Sequence, residues 1–195
     1  MKLLTFFFSL LFISSLNAQD MKIVELPYAE IPVYPENYTA GAVAARMIDG
    51  LGFRYYWATE GLNDVDLKYK PSEKGRTNDE TIDHILSLSK IIVNATLKIP
   101  NEGFGKDTLN FLAKREATLL NLKKASDILL NAKTLEDFKI IFKSDKGVKE
   151  FPFWNTINGP IADALWHTGQ VVMLRRASGN PFNSKVNVLS GKVNE

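Results

Sequence analysis

The sequence predicts an all-α fold, a four-helix bundle preceded by a cleaved signal peptide. Two observations lead to this prediction: four long segments have helical periodicity, and little of the remaining chain alternates as a strand does. Amphipathic helices bury their apolar stripes against one another, and four of them commonly form a bundle. The chain of 195 residues is long enough for one domain with its own core. We therefore expect a signal peptide at residues 1–18 and a single bundle domain at residues 19–195.

The N-terminal segment has the three parts of a secretory signal peptide. Lys2 supplies a positive charge, Leu3–Ile13 forms an apolar run, and Ala18 is a small residue at a plausible cleavage site. Leu16, at the third position before the cut, is larger than the residue usually found there. The apolar run is too short for an ordinary membrane span. The sequence thus predicts a secreted or periplasmic protein, with no membrane association after cleavage.

Composition excludes several classes of protein. The chain has no cysteine, which rules out a lipid-anchored lipoprotein, disulfides and thiolate metal sites. Removal of Lys2 leaves 23 basic side chains against 22 acidic ones, a formal charge of +1. Such a balanced charge does not favour nucleic acid or a membrane surface as partner. An unknown small molecule is the expected partner.

The first two predicted helices lie on either side of a loop. The first runs from about Tyr38 to Glu60 and is rich in alanine, with large apolar residues at helical spacing. Pro71 and Gly75 indicate a loop over Asp64–Arg76. The second helix opens at Thr77, where Glu80 three residues on completes a capping-box pattern, and it ends before Pro100 and Gly103. Its polar stripe comprises Asp83, Ser87, Lys90, Asn94 and Lys98, and its apolar stripe comprises Ile85, Leu88, Ile92 and Ala95.

The third helix is predicted from about Asp107 to Asn131. A short extra helix is expected over Thr134–Phe142, and a loop over Lys146–Asn158 because it contains glycine and proline. In the third helix, we expect Asn110, Lys114, Asn121 and Lys124 to face outward and Leu112, Leu119, Leu120 and Leu129 to face inward.

The last helix contains the most informative residues of the chain. Asn158 is a suitable N-cap and Pro160 fits the first turn, where its missing N–H costs nothing. The helix is expected to end near Ser178, with Gly179 as its C-terminal stop. The polar tail from Asn183 onward is predicted to be loosely held.

Asp163 and His167 are four residues apart and therefore neighbours on one face of the last helix. The only other histidine, His84, lies at the border between the polar and apolar stripes of the second helix. A carboxylate and two imidazoles form a recognised ligand set for a divalent transition metal. The residue pattern alone also fits a partly buried His84 with an ordinary partner and an i,i+4 hydrogen-bonded pair on the last helix.

Three features favour the metal site. Both histidines of the chain fall on inward or border faces, and Asp163 is surrounded in sequence by apolar residues, so that its charge would be costly without a partner. The same helical stripe continues through Gln170 to Leu174 and so grows more apolar. Three side-chain ligands leave about two or three coordination positions open for water or substrate, which is typical of catalytic sites. The apolar neighbours of Asp163 are Ile161, Leu165 and Trp166.

Other residues are weaker candidates for chemistry. Arg54, Arg175 and Arg176 could contact anions, although adjacent residues cannot share one helix face, so at least one of Arg175 and Arg176 is expected to be solvated or bound to a carbonyl. No separate general base is evident, and Glu60, near the end of the first helix, is the best available candidate.

Several segments resemble the DinB/YfiT-like family. Thr81–Leu86 resembles the histidine motif of that family's second helix, and Trp166–Val172 resembles its fourth-helix H-x-G-Q segment. Arg54–Leu62 and Arg175–Pro181 resemble a secreted branch of the family associated with Bacteroidetes. The resemblance spans most of the mature chain and is most specific around His84 and from Gly159 to Pro181.

The resemblance implies a four-helix bundle that is often a homodimer and holds a divalent metal. The family's ligands are commonly three histidines, one from the second helix and an H-x-x-x-H pair from the fourth. Here these positions correspond to His84, Asp163 and His167, so that an aspartate replaces one histidine and hardens the site. Zinc, nickel, manganese and iron all remain candidates.

Three functional classes follow from these observations. The first is an exported metal-dependent hydrolase or transferase; characterised relatives include transferases and isomerases that use low-molecular-weight thiols. The second is a non-catalytic binding or stress-related bundle with a vestigial or structural metal site. The third is a facial-triad iron oxygenase, which two histidines and a carboxylate permit, although such enzymes are built on β-barrels.

Overall fold

The computed structural model describes residues 25–103 and 108–195, and this part of the chain is mainly helical with two small sheets. The predicted signal peptide lies outside the described residues. The α-helices are α1 Ala40–Thr59, α2 Asp64–Lys68, α3 Asn78–Leu97, α4 Phe111–Leu130, α5 Phe153–Thr156 and α6 Ala162–Ala177, with a π-helical turn at Ile157–Ile161 between the last two. The strands are β1 Asn101–Glu102, β2 Lys139–Ser144, β3 Gly147–Pro152, β4 Val186–Asn187 and β5 Lys192–Val193.

The four long helices α1, α3, α4 and α6 match the four predicted ones and pack around a common core. Helices α1 and α3 each contact both α4 and α6. The packing buries large apolar side chains from all four helices, and each contributes about 1.5–3 kcal/mol through removal from water. Fully buried members include Ile48, Leu51, Ile85, Ile92, Leu119, Leu122 and Val171. Among the described residues, no helix has the length and hydropathy needed to cross a bilayer.

Side-chain caps define where the helices begin. At α3 the predicted capping box is confirmed: the Glu80 N–H donates to Thr77 Oγ1 at 3.1 Å, and the Thr77 N–H donates to Glu80 Oε2 at 2.7 Å. Helix α4 begins at Phe111, later than predicted, because the side chain of Asn110 accepts the Ala113 N–H at 3.0 Å and acts as its N-cap. These caps satisfy backbone donors that the helix itself leaves free.

The prediction of inward and outward faces was partly wrong for α4. Lys114 was expected to face outward, yet it is buried, and its ammonium lies 2.9 Å from Asp79 Oδ2 and 2.8 Å from Asp83 Oδ1 of α3. Leu112 and Leu120 were expected inward but are exposed. The error at Lys114 arises because a lysine with two carboxylate partners can be buried, whereas the hydrophobic pattern assigns every charged residue to the surface.

The segment after α4 contains a β-hairpin where Thr134–Phe142 was predicted to be helical and Lys146–Asn158 a loop. Strands β2 and β3 pair antiparallel, with Ile140 opposite Phe151. β-Branched and aromatic residues favour a strand when a partner strand is available, and the short segment offered no periodicity to distinguish the two states. Gly147 directly follows the turn with φ 115°, a conformation that glycine adopts readily.

The last helix begins earlier than predicted. It starts at α5 and passes through the π-helical turn before continuing as α6, so that Asn158 is inside the turn instead of capping the helix. The turn contains Pro160, and the Ala162 N–H bonds to the carbonyl of Ile157 five residues back. Proline lacks an N–H and its ring crowds the preceding turn, so a wider turn accommodates it. The predicted end is confirmed, since Ser178 is the C-cap and Gly179 has φ 98°.

The connection after α1 also contains a helix where the sequence predicted only a loop. Helix α2 is capped by Asn63, and its Asp66 accepts hydrogen bonds from the Asn63 N–H, the Ser178 hydroxyl and the Asn180 amide. Two of these donors lie just beyond α6, so Asp66 joins the α1–α3 connection to the end of the last helix. Burial raises the pKa of Asp66, but the hydrogen bonds from Asn180, Ser178 and Asn63 and the nearby Arg175 charge outweigh it and lower the pKa.

The C-terminal tail is more ordered than predicted. Strands β4 and β5 form a small antiparallel ribbon, in which Val186 lies opposite Val193. The Ile31 N–H donates to the carbonyl of Gly191 at 2.9 Å, which joins the tail to the segment before α1. Polar composition alone did not reveal this pairing, because its stabilising bonds involve the backbone.

Candidate metal centre

Helices α3 and α6 pack together and bring the three predicted ligands to one point. Asp163 Oδ2 lies 3.2 Å from His84 Nε2 of α3, and Asp163 Oδ1 lies 3.3 Å from His167 Nε2 one turn along α6. One ligand atom from each residue lies within 4.8 Å of the others. The i,i+4 pair follows from helix geometry, whereas the approach of His84 depends on the packing of two helices 79 residues apart in sequence.

The orientation of His167 leaves a nitrogen directed at the carboxylate. Its Nδ1 lies 2.8 Å from Oε1 of Gln170, three residues along the same helix. When Nδ1 carries the proton and donates to this amide oxygen, Nε2 presents a lone pair toward Asp163, and two acceptors then face each other. A cation between them removes this conflict, and a hydrogen bond from the other ring nitrogen is the usual support of a metal-bound histidine.

The two imidazoles lie beside each other without stacking. The ring centroids of His84 and His167 are 4.6 Å apart, and the ring planes are nearly perpendicular at 87°. Each ring can therefore direct a nitrogen toward the Asp163 carboxylate without the other ring obstructing it. The arrangement supplies two nitrogen donors and a carboxylate, which together fit a divalent transition metal. This group could hold a metal ion.

The surroundings of Asp163 differ from the prediction. The side chains of Asp163, His84 and His167 are 39%, 32% and 15% exposed, so the carboxylate is partly solvated. Trp166, expected to bury it, is itself 72% exposed, and Leu165 is exposed as well. These two residues lie on the outer face of α6, where sequence neighbours of Asp163 point away from it. The convergence of ligands therefore supports the site, and the cost of a buried charge does not.

The site opens into a pocket of about 490 Å³ between the first half of α3 and the part of α6 from His167 to Leu174. Both histidines line it, together with Gln170 and Leu174, the residues that continue the predicted stripe of the last helix. Arg76, just before α3, is a lining residue that the sequence did not single out. The remaining lining residues are Pro71, Thr81 and Met173.

The other sequence candidates lie away from this pocket. Arg175 is buried and donates to the carbonyls of Trp57, Ala58 and Glu60 at 3.0–3.1 Å, so it supports the end of α1. Its burial lowers the pKa of the guanidinium. Arg54 donates to the Gly50 carbonyl at 2.9 Å.

Glu60, the one residue considered as a candidate general base, forms an ion pair with Arg115 and does not line the pocket. Arg176 is exposed on α6 and does not line the pocket either. The arginine that does line the pocket lies in the segment predicted as a loop. Arg76 directly precedes the Thr77 capping box and lies about two turns from His84, and this spacing is the signal that could have identified it.

Comparisons of the chain with protein-family models, with curated proteins and with solved structures found no match.

Proposed function

We propose that this chain is an exported DinB/YfiT-like four-helix bundle that binds a divalent metal between α3 and α6. In this proposal it acts as a metal-dependent hydrolase or transferase on a small molecule. The observation that carries the proposal is the convergence of His84, Asp163 and His167, whose ligand atoms lie within 4.8 Å of one another beside a pocket. A structural metal needs no such opening, whereas a catalytic one keeps positions accessible to substrate.

The three residues have distinct roles in this proposal. His84 and His167 supply nitrogen donors, and Asp163 supplies an oxygen donor and a negative charge. A divalent ion held there would supply Lewis-acid chemistry. Gln170 positions the ring of His167 through the contact at Nδ1. Two nitrogens and one oxygen accept zinc, nickel, manganese or iron, and the carboxylate shifts preference toward the harder ions relative to a three-histidine site.

Assignment to the DinB/YfiT-like family is supported by the resemblance of Thr81–Leu86 and Trp166–Val172 to that family's motifs. The positions of His84 on the second long helix and of the Asp163–His167 pair on the fourth are those that the resemblance implies. The replacement of the first histidine of the pair by Asp163 is the main departure. A carboxylate of suitable reach still serves as a ligand.

A second candidate function is a non-catalytic binding or stress-related protein with a vestigial or structural metal. One observation favours it: apart from the two histidines, no described residue lining the pocket has a side chain that acts readily as a general base. If both imidazoles are ligands, the side chains left at the pocket are those of Arg76, Thr81, Gln170 and apolar residues.

Metal analysis of protein purified from its native compartment tests the proposal. One equivalent of a divalent metal per chain, lost on chelation and regained on titration, is the expected result. A folded chain that is free of metal and takes up none on titration would contradict the metal site and leave the non-catalytic function. Screening the loaded protein for hydrolysis of small esters and amides then separates the two functions.

A further inference from the structure

We infer that the pocket beside His84 and His167 takes a small organic anion, whose carboxylate or phosphate group is bound by Arg76. This inference rests on the proposed function, because it assumes that the other end of the same molecule lies at the metal. It adds the chemical class of the ligand, which neither the triad nor the family resemblance defines.

The charge of the pocket favours an anionic ligand. Arg76 is the one arginine or lysine among the residues that line it, and no acidic side chain lines it. The negative charge of Asp163 is offset once a divalent ion is bound, which leaves a net positive site. A concave site with one sign of charge concentrates ligands of the opposite sign.

Arg76 has no partner within the described part of the chain. Its side chain makes no hydrogen bond or ion pair there, whereas Arg115 pairs with Glu60 and Arg175 binds backbone carbonyls. Guanidinium groups bind carboxylate and phosphate through two parallel hydrogen bonds. An arginine that lines a pocket with its donors free is therefore available to a ligand.

The backbone next to Arg76 is held by the capping box of α3. Thr77, the next residue, exchanges hydrogen bonds of 2.7 and 3.1 Å with Glu80 in the capping box. His84 lies seven positions after Thr77, a rise of about 10 Å along α3. The two ends of a ligand thus face Arg76, just before α3, and His84, within α3, at a separation that suits a molecule with a short spacer.

The remaining lining residues indicate the nature of this spacer. Pro71, Met173 and Leu174 supply apolar surface, and Met173 is largely exposed, so the pocket is open to solvent. A volume of about 490 Å³ lies within the range of small-molecule sites. The expected ligand has a metal-binding head, a few apolar carbons and an anionic end.

A pair of matched probes tests the inference by calorimetry on the zinc-loaded protein. N-hydroxysuccinamic acid carries a hydroxamate head, two methylene groups and a carboxylate, and its primary amide differs only by lacking the charge. Acetohydroxamate, without a tail, reports on the metal alone. We expect the carboxylate probe to bind about threefold to tenfold more tightly than the amide, because a bidentate arginine–carboxylate pair is stronger than an ordinary exposed ion pair.

Two variants locate the preference. In Arg76→Gln, the affinities for the carboxylate and amide probes should lie within about twofold of each other, and acetohydroxamate binding should be unchanged. Arg76→Lys should retain part of the preference for the carboxylate probe. Arg176→Gln, which removes an exposed arginine outside the pocket, is the matched control and should keep the full ratio. Circular dichroism verifies that each variant is folded.

The outcomes distinguish this inference from the proposed function. Suppose that zinc and acetohydroxamate bind the wild type but the carboxylate probe binds no more tightly than the amide. The inference is then overturned and the metal site stands. The same conclusion follows if most of the preference for the carboxylate probe remains in Arg76→Gln. If zinc does not bind, the proposed function fails and the inference fails with it.

Discussion

A single carboxylate connects the two histidines of the site. Asp163 contacts His84 through one oxygen and His167 through the other, at 3.2 and 3.3 Å. The residue therefore contributes charge and faces both rings at a common point. Its replacement should have different effects depending on whether the new side chain can still coordinate.

The first prediction concerns His167. His167→Ala should weaken metal binding by at least about a hundredfold, since the loss of supporting contacts alone commonly costs ten- to a hundredfold. The side-chain contacts of His167 are with Asp163, Gln170 and the His84 ring, so we expect the fold to be preserved. Titration calorimetry measures the binding, and thermal unfolding verifies the fold. Undiminished affinity in the variant would exclude His167 as a ligand, and Arg176→Ala provides the control on the same helix.

The second prediction compares two replacements of Asp163. Asp163→His should retain metal binding, because an imidazole at this position restores the H-x-x-x-H spacing common in the resembled family. Asp163→Ala should weaken binding, since it removes both the oxygen donor and the charge. The metal-free Ala variant should be at least as stable as the wild type, because the substitution removes the facing acceptors Asp163 Oδ1 and His167 Nε2. Equal metal affinity of the Ala variant and the wild type, measured by calorimetry, would argue against coordination by Asp163.

The sequence was sufficient to select all three ligand candidates but not to describe their surroundings. The spacing of Asp163 and His167 guarantees a shared helix face, and the scarcity of histidine directed attention to His84. The exposure of Trp166 could not be foreseen, because it depends on which face of α6 packs against α1 and α3.

At the scale of the secondary-structure elements, a lysine between two carboxylates links α3 to α4. Lys114 is buried, and its partners Asp79 and Asp83 are only partly exposed. Burial lowers the pKa of Lys114, but the hydrogen bonds to Asp83 and Asp79 outweigh it, so the pKa is raised. The contact therefore favours the charged lysine across the neutral pH range.

The third prediction follows from this contact. Lys114→Met keeps most of the side-chain volume but leaves two carboxylates facing each other, and it should reduce the free energy of unfolding by about 1–3 kcal/mol. Lys124→Met, at an exposed position of the same helix, should change it by less than about 0.5 kcal/mol. Urea unfolding of both variants at neutral pH measures the difference. Equal stability of the two variants would mean that the Lys114 contacts contribute nothing net.

The fourth prediction concerns Asp66 and pH. Because its pKa is lower in the folded chain than in the unfolded one, its stabilisation is present above its ordinary pKa of about 3.9 and is lost as pH falls through the folded value. Asp66→Asn should therefore cost about 1–3 kcal/mol at pH 7 and less at pH 3.

Asp64→Asn is the matched control for this experiment, since Asp64 lies in the same short helix but is exposed. Its ion pair with the exposed Lys68 is long, with 3.8 Å between Asp64 Oδ2 and Lys68 Nζ. The effect of this substitution should be small at both pH values. Urea unfolding at the two pH values provides the comparison. A cost of Asp66→Asn that does not shrink at low pH would contradict the proposed role of the ionised carboxylate.

Long helices were predicted well and short elements poorly. Helix α3 was identified from its stripes and its capping box, because twenty residues contain several turns of the pattern. Helix α2 has five residues, and each strand of the β2–β3 hairpin has six. Such short elements depend on partners distant in sequence, such as Ser178 for Asp66. Local propensity cannot identify such partners.

At the scale of the whole molecule, the interior contains more ionisable groups than the sequence suggested. Asp49 of α1 is buried and accepts hydrogen bonds from the Tyr28 hydroxyl at 3.1 Å and the Ser126 hydroxyl at 2.6 Å. Burial raises the pKa of Asp49, although these hydrogen bonds partly oppose it. Asp49, Lys114 and Arg175 show that a charged residue can be buried when the folded chain supplies a polar partner. A charged residue in the sequence therefore predicts exposure only where such a partner is missing.

The fifth prediction is export of the whole chain. The apolar run Leu3–Ile13 and the small residue Ala18 predict that cleavage leaves Gln19 as the first residue of the mature protein. Expression in a Gram-negative host with the full sequence, followed by fractionation and N-terminal sequencing, tests this. Substitution of two leucines of the run by arginine should retain the protein in the cytosol. Intact Met1 in the soluble cytosolic fraction of the unmodified chain would refute export.

The π-helical turn at Ile157–Ile161 controls the phase of α6. An α-helix advances about 100° per residue, so the extra residue that widens a turn rotates everything after it by about that angle relative to the helix before it. Asp163 and His167 follow this turn directly, and their direction toward His84 depends on it. Deleting one residue there would rotate both candidate ligands away from α3 without altering either side chain. The helical phase is thus as much a component of the candidate site as the identity of its residues.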